Sequence, residues 1–306
     1  MTAPVADGSL VIAVPTRDRV DQLTRLLPLL VRQLIDSGRR GHVLVVDNSD
    51  DAGAREVVSA TDPQLVRYVH EPVRGLAAVR NRILDEAGDS DWLALIDDDE
   101  LPSPQWLAEL LRVQAEHGCD VVGGAAVLEL PDDAPPYLAG SEVFSRLRPR
   151  RPSGPHQAPV HTNNALVRVA KVREAGVRFD PAFNRSGGED TEFFWTLIDR
   201  GALVCWADDA VVTEQVHADR LRVRNLLWRQ TVRAANFVRI ERRHRPAPVA
   251  FARQGGRVVR RTLTGVAGLL AGALRLDRGR MLRGAYDVSY GFGTAGGILG
   301  IRLRAY

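Results

Sequence analysis

Three groups of carboxylates stand where apolar runs stop or glycines interrupt the chain. Asp47 ends Val43–Val46 and is followed by Asn48, Ser49, Asp50 and Asp51. Asp97, Asp98, Asp99 and Glu100 follow Trp92–Ile96, and Glu189, Asp190 and Glu192 follow the pair Gly187–Gly188. Crowded carboxylates repel one another, and a hard divalent cation relieves that repulsion. Oxygen donors with few protein partners suit Mg²⁺ or Mn²⁺ bridging a diphosphate better than a closed zinc site. We therefore read Asp97–Glu100 as a metal–diphosphate site, although an isolated DDDE would be a solvated turn. The Glu189–Glu192 group has two readings. As a helix start, its acids favour the helix dipole and Asp190 caps. As a site, the glycines admit a ligand close to the backbone, and a carboxylate deprotonates a bound hydroxyl. His217, just past Val211–Val216, is either a structural hydrogen-bonder or a third metal ligand.

These residues need a scaffold, and the apolar pattern supplies one. Leu10–Val14 ends at Pro15-Thr16-Arg17-Asp18, and Val20–Ile35 repeats leucines at helical spacing. Val43–Val46 and Leu65–Val69 read as strands, Gly75–Ala87 and Pro104–His117 as helices, and Val121–Leu128 as a further strand. This rhythm predicts an α/β fold with a mixed, mostly parallel sheet covered by helices on both faces. In such sheets the carboxyl ends of the strands line the ligand crevice. Residues 131–159, rich in Pro, Arg and Ser, read as a long mobile loop. A helix over Gly188–Arg200 and a long helix over Asp219–Arg245 follow. The chain divides into 1–130, 131–218 and a basic helical extension, 219–306.

Charge separates that extension from the rest. From Asp219 onward there are nineteen arginines against four acids, a net of +15, whereas the preceding residues carry −12. A codon bias accounts for arginine over lysine but not for the asymmetry, which points to an anionic partner. Thr262–Leu274 and Val288–Ile301 are uncharged but too short to span a bilayer. They suit helices lying in the headgroup region of an anionic leaflet, or a hairpin packed on the protein with its arginines facing water. Cys119 and Cys205 lie far apart without metal-ligand spacing, which excludes a disulfide framework or zinc finger and fits a reducing compartment. The start, MTAPVADGSL, lacks the pattern of a signal peptide, so we expect a cytoplasmic protein.

The segments VIAVPTRDR, VLVVDNSDD, GLAAVRNRIL, LALIDDDE, HTNNALVRV, GGEDTEFFWTL and VHADR, in this order, resemble family 2 glycosyltransferases with the nucleotide-sugar-binding GT-A fold. The chain is most similar to succinoglycan-type glucosyltransferases of exopolysaccharide assembly, from about Leu10 to Arg245. The resemblance implies that Pro15, Thr16 and Arg17 cradle the nucleotide base, that Asp47 contacts it, and that Arg80 and Asn81 close over the nucleotide. It implies further that Asp97 and Asp98 meet the donor and that Asp99, with His217, holds Mn²⁺ or Mg²⁺. Asp190 would be the catalytic base, with Glu189 and Trp195 on the acceptor. The implied partners are a nucleotide-sugar donor, a saccharide acceptor carried on polyprenyl diphosphate, and an anionic membrane at the inner face of the cell membrane.

Two departures matter. Asn48 stands where the family often has a second Asp, and the QxxRW element of processive synthases is missing, as Trp228-Arg229-Gln230 has the wrong order. That argues for one sugar per encounter, not polymerisation, and the resemblance implies that the transfer is inverting. A sugar-1-phosphate nucleotidyltransferase would need a Gly-rich phosphate loop after the first strand, and a dehydrogenase would need GxGxxG; neither is present. A nucleic-acid-binding protein using the arginines leaves the carboxylates unexplained and lacks a recognised motif, so we expect no nucleic acid. A transferase acting on a soluble acceptor stays open.

Overall fold

The computed structural model describes residues 8–144, 150–184, 187–216, 221–301 and 303. Strand and helix alternate first: β1 (Leu10–Thr16), α1 (Val20–Asp36), β2 (Gly41–Asp47), α2 (Arg55–Ala60), β3 (Val66–His70), α3 (Leu76–Ala87) and β4 (Trp92–Ile96). β3, β2, β1 and β4 lie side by side in parallel. In β1, Leu10, Ile12 and Val14 join one apolar cluster with Leu23, Leu26, Leu27 and Leu30 of α1. Val11 and Ala13 join another with Ala77, Val79 and Ile83 of α3. Successive side chains point to opposite faces, so a strand covered on both sides must be apolar throughout.

The chain then reverses. β5 (Glu100–Pro102), α4 (Trp106–His117), β6 (Val121–Glu129), α5 (Pro136–Gly140), β7 (Gly154–His156), β8 (Asn164–Arg168), α6 (Val169–Ala175), α7 (Glu189–Asp199) and β9 (Val204–Gln215) follow. β8 runs antiparallel to β4, β6 antiparallel to β8, and β5 and β7 antiparallel to β9. The result is a mixed nine-stranded sheet of order β3-β2-β1-β4-β8-β6-β9-β5, with β7 on β9. Because β8 opposes β4, Asn164 sits across from Ile96 and the start of β8 lies at the carboxyl end of β4. The segment read as a loop contains α5 and β7. Cys119 and Cys205, read from their spacing as fitting a reducing compartment, form a single disulfide, with Cα atoms 6.1 Å apart across 86 residues of sequence. Cys119 lies just before β6 and Cys205 in β9, and these neighbouring strands bring together residues that sequence keeps apart.

Two compact units result. The sheet unit comprises residues to Val127, Arg150–Pro181 and Glu189–Glu214; the other comprises Leu128–Pro149, Ala182–Gly188 and the chain from Gln215 onward. The second unit is built on α8 (Val223–His244), α9 (Ala247–Leu274) and α10 (Arg278–Ile298). Leu138, Val143 and Phe144 pack with Leu226, Leu282 and Tyr286 in its apolar cluster. α9 and α10 meet along glycines. A Cβ on Gly284 would come within 2.6 Å of the Gly265 carbonyl, and one on Gly297 within 2.8 Å of the Ala235 carbonyl of α8. Arg257 pairs with the buried Glu241, and Arg261 with Asp287. With its inner seam made of small residues, α9 turns Val259, Leu263, Val266, Leu270 and Leu274 outward, all exposed. Among the described residues, no helix is long and apolar enough to cross a membrane.

Candidate functional site

The loops after β1, β2 and β4, the start of α7 and the approach to β8 meet at the carboxyl end of the parallel strands. Thr16 ends β1, and its hydroxyl donates to Asp98 at 2.8 Å. Asp18 has a positive φ of 54°, and beyond this turn Arg19 bridges Asp98 and Asp99, each at 2.7 Å. Burial pushes the Asp98 carboxyl up, and Arg19 beside it only partly offsets that effect. Arg17 and Asp18 pair with each other at the exposed edge.

Asp47 is fully buried at the end of β2 and accepts from Ser49 N–H and hydroxyl, from Ala54 N–H at 3.1 Å and from Tyr68 OH at 3.1 Å. Burial would raise its pKa, but these hydrogen bonds outweigh it and hold the carboxyl below its ordinary value. Burial and the neighbouring Asp47 push the Tyr68 phenol up to about 12. Asp47 therefore builds the loop after β2. Asn48 donates to the carbonyls of Glu71 and Val73 and accepts from Gly75 N–H. A carboxylate could not donate to those two carbonyls, which accounts for Asn where a second Asp is common.

Arg80 on α3 is buried, ion-paired with Glu189 and 3.8 Å from Asp97. Glu189 Oε2 and Arg80 Nε are buried without hydrogen-bond partners. Burial raises the Glu189 pKa despite Arg80, whereas at Asp190 burial is outweighed by His161, Arg80 and Thr191 N–H, which hold it far below the carboxylate range. Adjacent carboxyls pushed in opposite directions are suited to different roles. Asp190 Oδ2 accepts from His161 Nδ1 at 2.8 Å, and Oδ1 from Thr191 N–H at 2.6 Å.

Residues 11–175 match Glycosyl transferase family 2. The chain belongs to that family. Over 213 residues it is 31% identical to the succinoglycan biosynthesis protein ExoM of Rhizobium meliloti (strain 1021), covering 69% of this chain and 67% of that protein. Its structure is similar to mannosyltransferase PcManGT from Pyrobaculum calidifontis in complex with GDP-Man and Mn²⁺ (TM-score 0.61, 18% identity, 97% of this chain and 89% of that one). It is also similar to S. aureus TarS (TM-score 0.55, 15% identity, 90% and 55%) and to GalNAc-T7 with UDP, GalNAc and Mn²⁺ (TM-score 0.53, 14% identity, 69% and 44%). The chain spans less than two thirds of the TarS and GalNAc-T7 chains. The fold is GT-A.

In this family 2 glycosyltransferase, Thr16 ends β1, Asp97, Asp98 and Asp99 follow β4, Arg80 lies within α3, and Glu189 and Asp190 open α7. Asp99 is 11% exposed, with Oδ2 on Arg19. Together with Asp97 it offers only oxygen donors, a set that fits a hard divalent ion taking its other ligands from a diphosphate. Among the described residues, no three Asp, Glu, His or Cys side chains are grouped to hold a metal by themselves. His217 lies outside the described residues. Asn81 bonds the backbone of Phe179 at both ends of its amide, bracing a ring that stacks on Phe193 at 4.0 Å. Trp195 is buried on α7, and Pro15 is half-buried.

Sequence reasoning assigned no role to Arg19 or to His161 and Asn163. Asn163 donates to Glu100, and Asn164 accepts from Trp106 Nε1 at 2.8 Å. The available signal was the polar run His161–Asn164 directly before a buried strand. Its value depended on β8 being antiparallel, which apolar spacing does not reveal.

Proposed function

We propose that this glycosyltransferase moves one sugar from a nucleotide-diphosphate sugar, with UDP as the favoured nucleotide, to an acceptor hydroxyl, inverting the anomeric configuration. The observation that carries this is the row of Asp97, Asp98 and Asp99 at the end of β4, beside Arg80, Glu189 and Asp190 at the start of α7. Pro15, Thr16, Arg17 and the Asp47 loop receive the nucleotide, and Arg80 and Asn81 order its side of the site. Asp99, with His217, would hold Mn²⁺ or Mg²⁺, which when bound offsets charge on the departing diphosphate. Glu189 and Trp195, on the same helix as Asp190, are assigned to the acceptor side. The base function resides at Asp190, opposite the leaving group, so direct displacement inverts the centre.

The acceptor we favour is a polyprenyl-diphosphate-linked saccharide in exopolysaccharide assembly at the inner face of the cell membrane. Two observations support a peripheral membrane contact: the outward stripe of α9, and exposed Arg253, Arg260, Arg275 and Arg278 on the same hairpin. Apolar side chains flanked by cations match an anionic leaflet.

Thermal stabilisation by UDP, GDP and dTDP, each with and without Mn²⁺, tests the transfer reading, followed by donor turnover with the nucleotide that binds. Stabilisation by a nucleoside diphosphate and none by oligonucleotides is the expected result. Stabilisation by oligonucleotides alone would replace the transferase reading with nucleic-acid binding.

A further inference from the structure

We propose that Arg19 is a built-in counter-cation that keeps a divalent ion off Asp99 until a nucleoside diphosphate arrives with it. This rests on the reading of Asp99 as a metal ligand and concerns when that ligand is released. A single nitrogen, Nη1 of Arg19, lies 2.7 Å from Oδ1 of Asp98 and 2.7 Å from Oδ2 of Asp99. Asp98 has both oxygens engaged, Oδ1 by Arg19 and Oδ2 by the Thr16 hydroxyl at 2.8 Å. The neighbouring arginines are committed elsewhere. Arg80 pairs with Glu189 and lies 3.8 Å from Asp97, and Arg17 pairs with Asp18 at the exposed edge.

The position is an unfavourable one for a cation. Arg19 directly precedes the first turn of α1, and its side chain makes no capping bond there. At such a position the helix dipole repels positive charge, and Ser, Thr, Asp or Asn is preferred. Asp18 before it has a φ of 54°, which is uncommon outside glycine. Local rules broken at a strand end point to a role for the residue that breaks them.

Charge supplies that role. An ion on Asp99 Oδ2 at about 2.1 Å, the usual Mg²⁺–oxygen distance, would lie within about 5 Å of the nitrogen that is 2.7 Å from the same oxygen. Cations that close repel, and a guanidinium cannot shed its proton to escape. A diphosphate brings negative charge that offsets both. Arg19 therefore makes binding of the ion depend on the nucleotide, while its hold on the buried Asp98 keeps it in place.

The test titrates the full chain with MnCl₂ in the absence of nucleotide, reading free Mn²⁺ by its paramagnetic resonance, and repeats the titration with UDP, GDP or dTDP. Arg19→Gln and Arg19→Met remove the charge, and Arg19→Lys keeps it; melting curves show which variants are folded. Without nucleotide, Mn²⁺ affinity should rise by about tenfold or more in the neutral variants and stay near wild type in Arg19→Lys. The nucleotide should then add less to Mn²⁺ affinity in the neutral variants than in wild type. Unchanged or weaker nucleotide-free binding in a folded neutral variant, or an equal rise in Arg19→Lys, would overturn the role of Arg19 and leave Asp99 and the transfer reading standing. Wild type that binds Mn²⁺ equally tightly with and without nucleotide would do the same. No Mn²⁺ binding by wild type with any of the three nucleotides would overturn the metal reading together with this one.

Discussion

Asp47 and Asp190 sit at the ends of different elements, yet both owe their depressed pKa to hydrogen bonds and charges that outweigh burial. For Asp47 this has a stability consequence of definite sign. Its folded value lies below the unfolded value of about 3.9. Its contribution is therefore full above that pH and is lost as pH falls through the folded value. Asp47→Asn should cost about 2–3 kcal/mol at pH 7, since hydrogen bonds to a charged group are each worth roughly 1.5–3 kcal/mol. The deficit should narrow below about pH 4, and denaturant titration at pH 7 and pH 3 checks it; equal deficits at both would refute the account. At Asp190 the consequence is kinetic. Asp190→Asn should lower turnover by about 10²–10⁴-fold with nucleotide affinity intact, whereas a pure helix cap predicts lost stability with normal turnover in the folded fraction. Asp99→Ala should abolish the extra UDP affinity that Mn²⁺ provides. An unchanged Mn²⁺ titration by calorimetry would remove Asp99 from the metal site. Most of these side chains were legible because they stand where apolar runs end. Arg19 and His161 were not: one reaches Asp98 only through the positive-φ turn at Asp18, and the other reaches Asp190 across a strand reversal.

Among elements, the parallel strands and their helices were the most legible. Fully apolar strands such as Leu10–Val14 need cover on both faces, and the leucines of α1 advertise one of those faces. The antiparallel part was harder, because its strands pair across long gaps in sequence and the pairing of Cys119 with Cys205 depends on it. The helices after Pro246 were read from charge, yet glycines determine their packing. Gly284 illustrates this, since a side chain there would strike the backbone of Gly265 and Leu269. Gly284→Val should separate α9 from α10 and cost roughly 1–3 kcal/mol, the usual range for overpacking. Gly300→Ala lies beyond the seam with nothing near its Cβ, though its φ of 77° gives it a local cost of its own. Comparing melting curves of Gly284→Val with Gly255→Ala, an open helical position, isolates the seam. Equal melting temperatures would show that the seam contributes nothing.

For the whole molecule, the contrast between an acidic catalytic part and an arginine-rich end predicts where the protein sits. Arg257 and Arg261 are neutralised internally by Glu241 and Asp287, pairings already counted within the net +15, so the excess is carried by the other arginines. We expect binding to vesicles containing anionic lipid, weakened by salt, and much less to neutral vesicles. Leu263→Asp with Leu270→Asp should remove that binding while nucleotide binding stays unchanged. This substitution leaves the seam with α8 and α10 in place, as truncation would not. Equal sedimentation of variant and wild type with anionic vesicles would leave the stripe without a role.

The glycine seam also makes α9 and α10 an inside-out pair, with small residues within and leucines without. A pair joined by close backbone contact does not depend on water to drive it together, because its cohesion comes from dispersion and weak Cα–H···O contacts that operate equally well in hydrocarbon. The same hairpin can therefore keep one shape on either side of a change of solvent. Its docking onto lipid would be the transfer of a finished part, with no refolding at the surface.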